Sequence, residues 1–210
     1  LQHAFDRDVV LATPTTLLAI LRAVAHTWRQ EAAARNVVPV TLELGGKSPQ
    51  VVFADADLER ALPFLVNAGI QNCGQTCSAS SRILVDRRVH DEVLARMAER
   101  YGALRVGPAM ADLDVGPLIS AKQKQIVSGF LAQGADLEVA GRAVLGEVPD
   151  GGYYVPPTLL AGVRPDHALA RDEIFGPVQV VIPFDSEEEA VAIANGTDYG
   201  LVASVWSQDG

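Results

Sequence analysis

The sequence predicts an α/β protein built on a largely parallel sheet with flanking helices. From residue 37 on, short apolar runs alternate with helix-type segments, the pattern of strands joined by helical crossovers. Two capping boxes, Ser120-Ala-Lys-Gln123 and Ser186-Glu-Glu-Glu189, each open a helix. Hydrophobic residues are 49% of the 210 and charged residues 20%, which supplies a core and argues against wholesale disorder.

The elements follow in order. Val9 to Ala12 reads as a short strand. Thr13-Pro14 is an N-cap and first-position pair for a helix whose stripe is Leu17, Leu21, Val24 and Trp28. Val38 to Leu44 reads as a strand broken by Gly45-Gly46, and Val51 to Phe53 as another. Asp57 can cap a helix from Leu58 to about Asn72, with Pro63 in its first two turns. Ile83 to Val85 is strand-like. Asp91 to Arg105 is helical, with Leu94, Met97, Ala98 and Tyr101 on one face. The Ser120 box opens a helix that Gly134 can close. Leu137 to Ala140, Tyr153 to Leu160 and Val178 to Phe184 read as strands. The Ser186 box opens a helix ended at Gly196, and Leu201 to Trp206 is a last strand.

Composition excludes several functions. The net charge of -9 argues against a phosphate-tracking surface. Residues 1–36 hold four basic and three acidic residues, so the negative excess lies beyond them. No run approaches the roughly 18 apolar residues of a membrane span. No basic-then-apolar leader opens the chain, and the expected location is cytoplasmic. Two Cys and four His exclude a disulfide framework and point to no metal site. The opening Leu1 and the stop at Gly210 predict a piece of a longer protein.

Three motifs could carry chemistry. In Asn72-Cys73-Gly74-Gln75-Thr76-Cys77-Ser78, Gly74 permits a tight turn, and Cys77 precedes small polar residues. A thiol on such a turn can serve as a nucleophile if its thiolate is stabilised or a base is near. Cys73, on the helix side, reads as a buried structural thiol. In Thr41-Leu42-Glu43-Leu44-Gly45-Gly46-Lys47-Ser48-Pro49, a carboxylate stands between two leucines. Desolvation there would suit Glu43 to a general base, and the plainer reading is a solvated strand residue. In Arg171-Asp172-Glu173-Ile174-Phe175-Gly176-Pro177, Glu173 and Phe175 alternate before a buried strand. They could hold a ribose by carboxylate and aromatic wall, or Phe175 could be core. Neither a G-x-G-x-x-G nor a G-x-x-x-x-G-K-[ST] pattern occurs.

Together, in this order, these motifs and Asn195-Gly-Thr-Asp-Tyr199-Gly200-Leu201 resemble the aldehyde dehydrogenase superfamily over about residues 37–210. The resemblance implies an aldehyde dehydrogenase-like catalytic domain and oxidation of a small-molecule aldehyde with NAD or NADP. Cys77 would attack the carbonyl to give a thiohemiacetal. Loss of hydride to the nicotinamide would leave a thioester, and Glu43 would activate the hydrolytic water. The Cys77 N–H would be one oxyanion donor. Glu173 and Phe175 would bind the nicotinamide ribose end, Leu44 and Gly45 would approach it through their backbone, and Gln123 would lie near it. A homo-oligomer is implied for full-length members.

Most of the family's cofactor domain and its C-terminal end have no counterpart here. Residues 1–36 form a helical leader that is similar to a stretch of the RmuC family of DNA recombination proteins, through Pro14-Thr-Thr-Leu-Leu18 and His26-Thr-Trp-Arg-Gln30. A chimeric or truncated chain, joined near 31–36, is the expectation, with impaired activity in isolation. The alternatives are a nucleic-acid-associated protein, which the missing basic footprint disfavours, and a non-catalytic structural remnant.

Overall fold

The structure is a computed structural model that describes residues 44–209. The expected strand and helix of residues 9–28 and most of the strand at 38–44 lie outside the described residues. Leu44, the end of that run, is in no regular element.

The strands are β1 (Pro49–Val52), β2 (Arg82–Asp86), β3 (Arg105–Val106), β4 (Glu138–Arg142), β5 (Val144–Leu145), β6 (Thr158–Ala161), β7 (Val178–Phe184) and β8 (Ser204–Trp206). The helices are α1 (Leu58–Ile70), α2 (His90–Ala103), α3 (Ala121–Gln133), α4 (Ala168–Arg171) and α5 (Glu187–Ala194). A six-stranded sheet runs β4-β6-β7-β2-β1-β8, and β3 pairs with β5 in a small second ladder. All pairs in the large sheet are parallel except β4 with β6 at one edge. The β2 residues are all buried, as are those of β7 apart from half-buried Pro183, which explains their near-continuous apolar runs.

Caps fix most helix starts. The Asp57 side chain accepts from the Arg60 N–H, and Ser186 Oγ accepts from the Glu189 N–H. The Glu189 carboxylate reaches back to the Asp185 N–H, one residue before the expected partner. Ser120 Oγ likewise accepts from the Gln123 N–H, but the Gln123 side chain is used elsewhere. Pro63 lies inside α1 on its exposed side, where the carbonyl it leaves unbonded can turn to water.

Helix α1 buries Ala61, Leu62, Leu65, Val66, Gly69 and Ile70, a stripe at helical spacing. Helix α2 starts at His90 and buries Val93, Met97 and Tyr101, so the expected face holds at Met97 and Tyr101 and is completed by Val93. It lies close on β4, where a Cβ on Gly141 would press on the Ala98 backbone. The last helix ends at Ala194 with Asn195 as its cap, two residues before Gly196. Of the expected strand at Tyr153–Leu160 only Thr158 onward joins the sheet.

Arg82 pairs with Val180 in the β2–β7 register, so Arg82 and Gln179 point to opposite faces. Arg82 bonds to the end of α5 and Gln179 to α1, which places those helices on the two faces. Among the described residues, no helix is long and apolar enough to cross a membrane.

Candidate active site

The first part of the site is the link from α1 to β2. After Ile70 the chain makes a 3-10 turn, Gln71–Gly74, in which Asn72, Cys73 and Gly74 have φ of 50°, 57° and 70°. Left-handed backbone costs a non-glycine residue on the order of 1 kcal/mol. The turn is held by reciprocal amides: Asn72 Nδ2 donates to the Gln75 carbonyl, and Gln75 Nε2 donates to the Asn72 carbonyl, both at 3.0 Å. The free oxygen of the Gln75 amide accepts from the Ile119 N–H. At Gly74 a Cβ would collide with the Gly176 carbonyl, so this glycine is needed for space as well as for φ.

A tight turn follows, closed by the Ala79 N–H donating to the Thr76 carbonyl at 3.0 Å, with Cys77 in second position and exposed. Cys73 is 4% exposed, and burial pushes its thiol up to about 12. The two cysteines thus differ as their motif suggests: one thiol is presented to solvent, and the other is sealed and inert.

The second part is the glycine arm. A Cβ on Gly46 would collide with the Cys77 carbonyl oxygen, and one on Gly45 would collide with the Glu173 carboxylate. The Gly46 N–H donates to Glu173 Oε1 at 2.9 Å. This arm therefore runs between the Cys77 turn and Glu173, and only glycine can occupy either position without displacing one of them. Leu44 is half-buried at its start. Glu43 lies outside the described residues.

The third part is the loop after α4. Glu173 is half-buried, Ile174 is core, and Phe175 stands 37% exposed on left-handed backbone at φ 54°. Gln123 Nε2, from the first turn of α3, donates to the carbonyls of Ile174 at 3.1 Å and Phe175 at 2.9 Å. The Gln123 amide thus holds the loop that presents Glu173 and Phe175. A cleft between the three parts is lined by Gly46, Gly74, Thr76, Glu173, Phe175 and Gly176, among others. A carboxylate, an aromatic ring and two side-chain-free residues converge there, a donor set whose chemistry suits a ribose and a flat ring.

Sequence reasoning missed three buried polar residues beside this site. Lys47 and Arg82 are each 2% exposed. Arg82 donates to the carbonyls of Lys47 (2.9 Å), Ile193 (2.9 Å) and Ala194 (2.8 Å), tying the arm to the carbonyl end of α5. Burial lowers Arg82 to about 10, so it stays charged at neutral pH. Lys47 Nζ has no hydrogen-bond partner among the described residues. Burial and the Arg82 charge bring its amine down to about 7, against the opposing pull of Asp172 and Glu173. The third residue, Gln179, is fully buried in β7. A lone amide or cation inside an apolar run was the available signal for Arg82 and Gln179, since a buried polar group must be bonded. Among the described residues, no group of three or more His, Cys, Asp or Glu could hold a metal ion.

Comparison with known proteins agrees with this geometry. Betaine aldehyde dehydrogenase of Bacillus subtilis (strain 168) is 40% identical over 183 residues, covering 85% of this chain and 37% of that protein. A crystal structure from Burkholderia cenocepacia superposes with a TM-score of 0.82 at 53% identity, over 90% of this chain and 40% of that one. The NAD+ complex of the Bacillus cereus aldehyde dehydrogenase gives a TM-score of 0.78 at 39% identity, over 90% of this chain and 38% of that one. The chain therefore spans well under half the length of the proteins it matches. The model of the aldehyde dehydrogenase family matches residues 22–210, beginning inside the expected leader, and the chain belongs to that family.

Proposed function

We propose that this chain carries the nucleophile and the nicotinamide end of an enzyme that oxidises a small-molecule aldehyde to a carboxylic acid. The observation that carries the reading is the convergence on the glycine arm, where Gly46 touches both the Cys77 carbonyl and the Glu173 carboxylate. Cys77 attacks the aldehyde carbon: the S–C bond forms as the carbonyl π bond opens, and the oxygen becomes a thiohemiacetal hydroxyl. The Cys77 N–H is one donor toward that oxygen while it carries charge. Glu43 takes a proton from the water that attacks the resulting thioester, releasing the acid and the thiol.

NAD or NADP, when bound, supplies the two-electron acceptor that converts thiohemiacetal to thioester. The residues that would hold its nicotinamide end are Glu173 and Phe175, with the backbone of Leu44 and Gly45 opposite. The relative solved with NAD+ supports that choice of cofactor. The chain spans 37% of the Bacillus subtilis relative's length, and most of the family's cofactor domain has no counterpart in it. The isolated 210-residue chain accordingly has little or no dehydrogenase turnover, while ester hydrolysis at Cys77, which needs no acceptor, survives. We assign the protein to the cytoplasm, where two free thiols persist, and the full-length enzyme to a homo-oligomer. The family match begins at residue 22, so only residues 1–21, with the Pro14-Thr-Thr-Leu-Leu18 motif, are left to a leader of separate, RmuC-like origin. Sequencing across residues 14–36 in source DNA tests that origin, and an uninterrupted native reading frame through them would contradict it.

The functional test uses the purified chain. Assays with NAD and NADP over several aldehydes should give no sustained turnover, whereas p-nitrophenyl acetate should be hydrolysed. Cys77→Ser should abolish that hydrolysis, and Glu43→Gln should slow it by about 10²-fold or more. Robust dehydrogenase turnover by the chain would contradict the stand-alone claim. Ester hydrolysis unaffected by Cys77→Ser would contradict the assignment of the nucleophile.

A further inference from the structure

Gln179 is the one amide in the buried face of β7 that meets α1, and each side of it is occupied. Its Nε2 donates to the Ser80 carbonyl at 2.7 Å and to the Leu65 carbonyl at 2.8 Å. Its Oε1 accepts from the Tyr101 hydroxyl at 2.6 Å. Gln179 and Tyr101 have no exposed surface, and Ser80 is buried. A fully satisfied amide in a dry interior is geometrically rigid, because any displacement leaves a polar group unbonded.

The three partners come from different places. Leu65 is in the middle of α1, Tyr101 is in the last turn of α2, and Ser80 closes the segment that begins at the Cys77 turn. Helix α1 is fitted to the amide: a Cβ on Gly69 would collide with the Gln179 side chain. The Ser80 N–H donates to the Ala68 carbonyl at 3.2 Å, so both main-chain polar groups of Ser80 are engaged, one by α1 and one by Gln179. Upstream, the Cys77 turn is fixed by the Asn72–Gln75 amides and the Gly74–Gly176 contact. Downstream, before β2, the anchors are Ser80 to Gln179 and to Ala68, and the Ser81 carbonyl, which accepts from the Val180 N–H at 2.9 Å and fixes the start of the strand.

We propose that Gln179 is a positioning residue for the nucleophile turn: through the Ser80 carbonyl it sets where Cys77 stands relative to the glycine arm. The inference rests on reading Cys77 as the nucleophile only for its consequence on chemistry. The anchoring itself is independent of that reading. Of the three bonds, the one to Ser80 carries the effect on the turn, and the Tyr101 bond only orients the amide.

Two substitutions separate these bonds. Gln179→Met keeps the volume and removes all three. Tyr101→Phe removes only the hydroxyl. Peptide-resolved hydrogen exchange of the 210-residue chain should show residues 76–81 exchanging about tenfold faster in Gln179→Met, with Ile83–Val85 unchanged. Hydrolysis of p-nitrophenyl acetate should lose turnover number with KM held. Tyr101→Phe should leave the turn's exchange within about twofold of wild type, although it too lowers stability. If Gln179→Met does not fold, Gly69→Ala, a favourable residue in a helix, displaces the amide from the α1 side and should speed the same segment. Unchanged exchange of 76–81 in a folded Gln179→Met or Gly69→Ala variant overturns the proposal. So does equal loosening in Tyr101→Phe and Gln179→Met, which would mean general packing. Normal exchange effects with no ester hydrolysis in wild type would overturn the nucleophile assignment and leave this anchoring intact.

Discussion

Two buried cations adjoin the site, and they are handled differently. Arg82 spends its guanidinium on three main-chain carbonyls, two of them at the negative end of α5. Removing it leaves those acceptors without a donor in a dry place. Arg82→Met should therefore cost about 3 kcal/mol in denaturant unfolding. Lys47 has no such partner among the described residues, and its amine sits at about 7 rather than 10.5. The unfolded chain then holds a proton that the folded chain has lost between those two values, so stability rises with pH across that window. Below about 7 both states are protonated, and the full burial cost of the charge is present. Lys47→Met removes this dependence. Its advantage over wild type should be greatest near pH ~6, on the order of 4 kcal/mol, and should shrink toward pH ~10. Parallel unfolding curves of the two proteins at both pH values would exclude a depressed Lys47.

At the scale of elements, the caps and glycines do separate jobs. Ser186→Ala removes the acceptor for the Glu189 N–H and should cost about 1 kcal/mol without touching the site. Gly74→Ala meets both a left-handed φ and the Gly176 carbonyl, so it should cost more than the cap and also displace the Cys77 turn. Thermal unfolding, together with the rate of Cys77 alkylation, separates the two: only the glycine variant should change both. These elements also show what could be read in advance. Helices α1, α3 and α5 carry their caps locally, and β7 carries its burial in composition. The short strands β3 and β5 have two residues each and exist only through their ladder, Arg105 with Val144 and Val106 with Leu145. No local pattern encodes such a pairing. The single-turn helix α4 is capped by His167 Nδ1, an acceptor that a pattern of Ser, Thr, Asp and Asn caps overlooks. The motif residues Cys77, Gly45, Glu173 and Phe175 were legible by their order along the chain. The roles of Gln123, Gln179 and Arg82 were not, because each depends on a partner dozens of residues away, and the burial of Lys47 follows from packing that no local pattern encodes.

For the molecule as a whole, the proposed function gives the chain the nucleophile side of an aldehyde-oxidising enzyme. The parallel sheet delivers the Cys77 turn, the glycine arm and the Glu173 loop to one place, in a chain that spans 37% of the Bacillus subtilis relative's length. On the proposed function the nucleophile is separable from the hydride acceptor, and the chain should be acylated by an ester without oxidising an aldehyde. The most direct measurement is the site of acylation after brief exposure of the folded 210-residue chain to p-nitrophenyl acetate, located by peptide mass spectrometry. The account predicts an acetyl group on Cys77 and none on buried Cys73. Acetylation absent from Cys77, or equal on both cysteines of the folded chain, would contradict it.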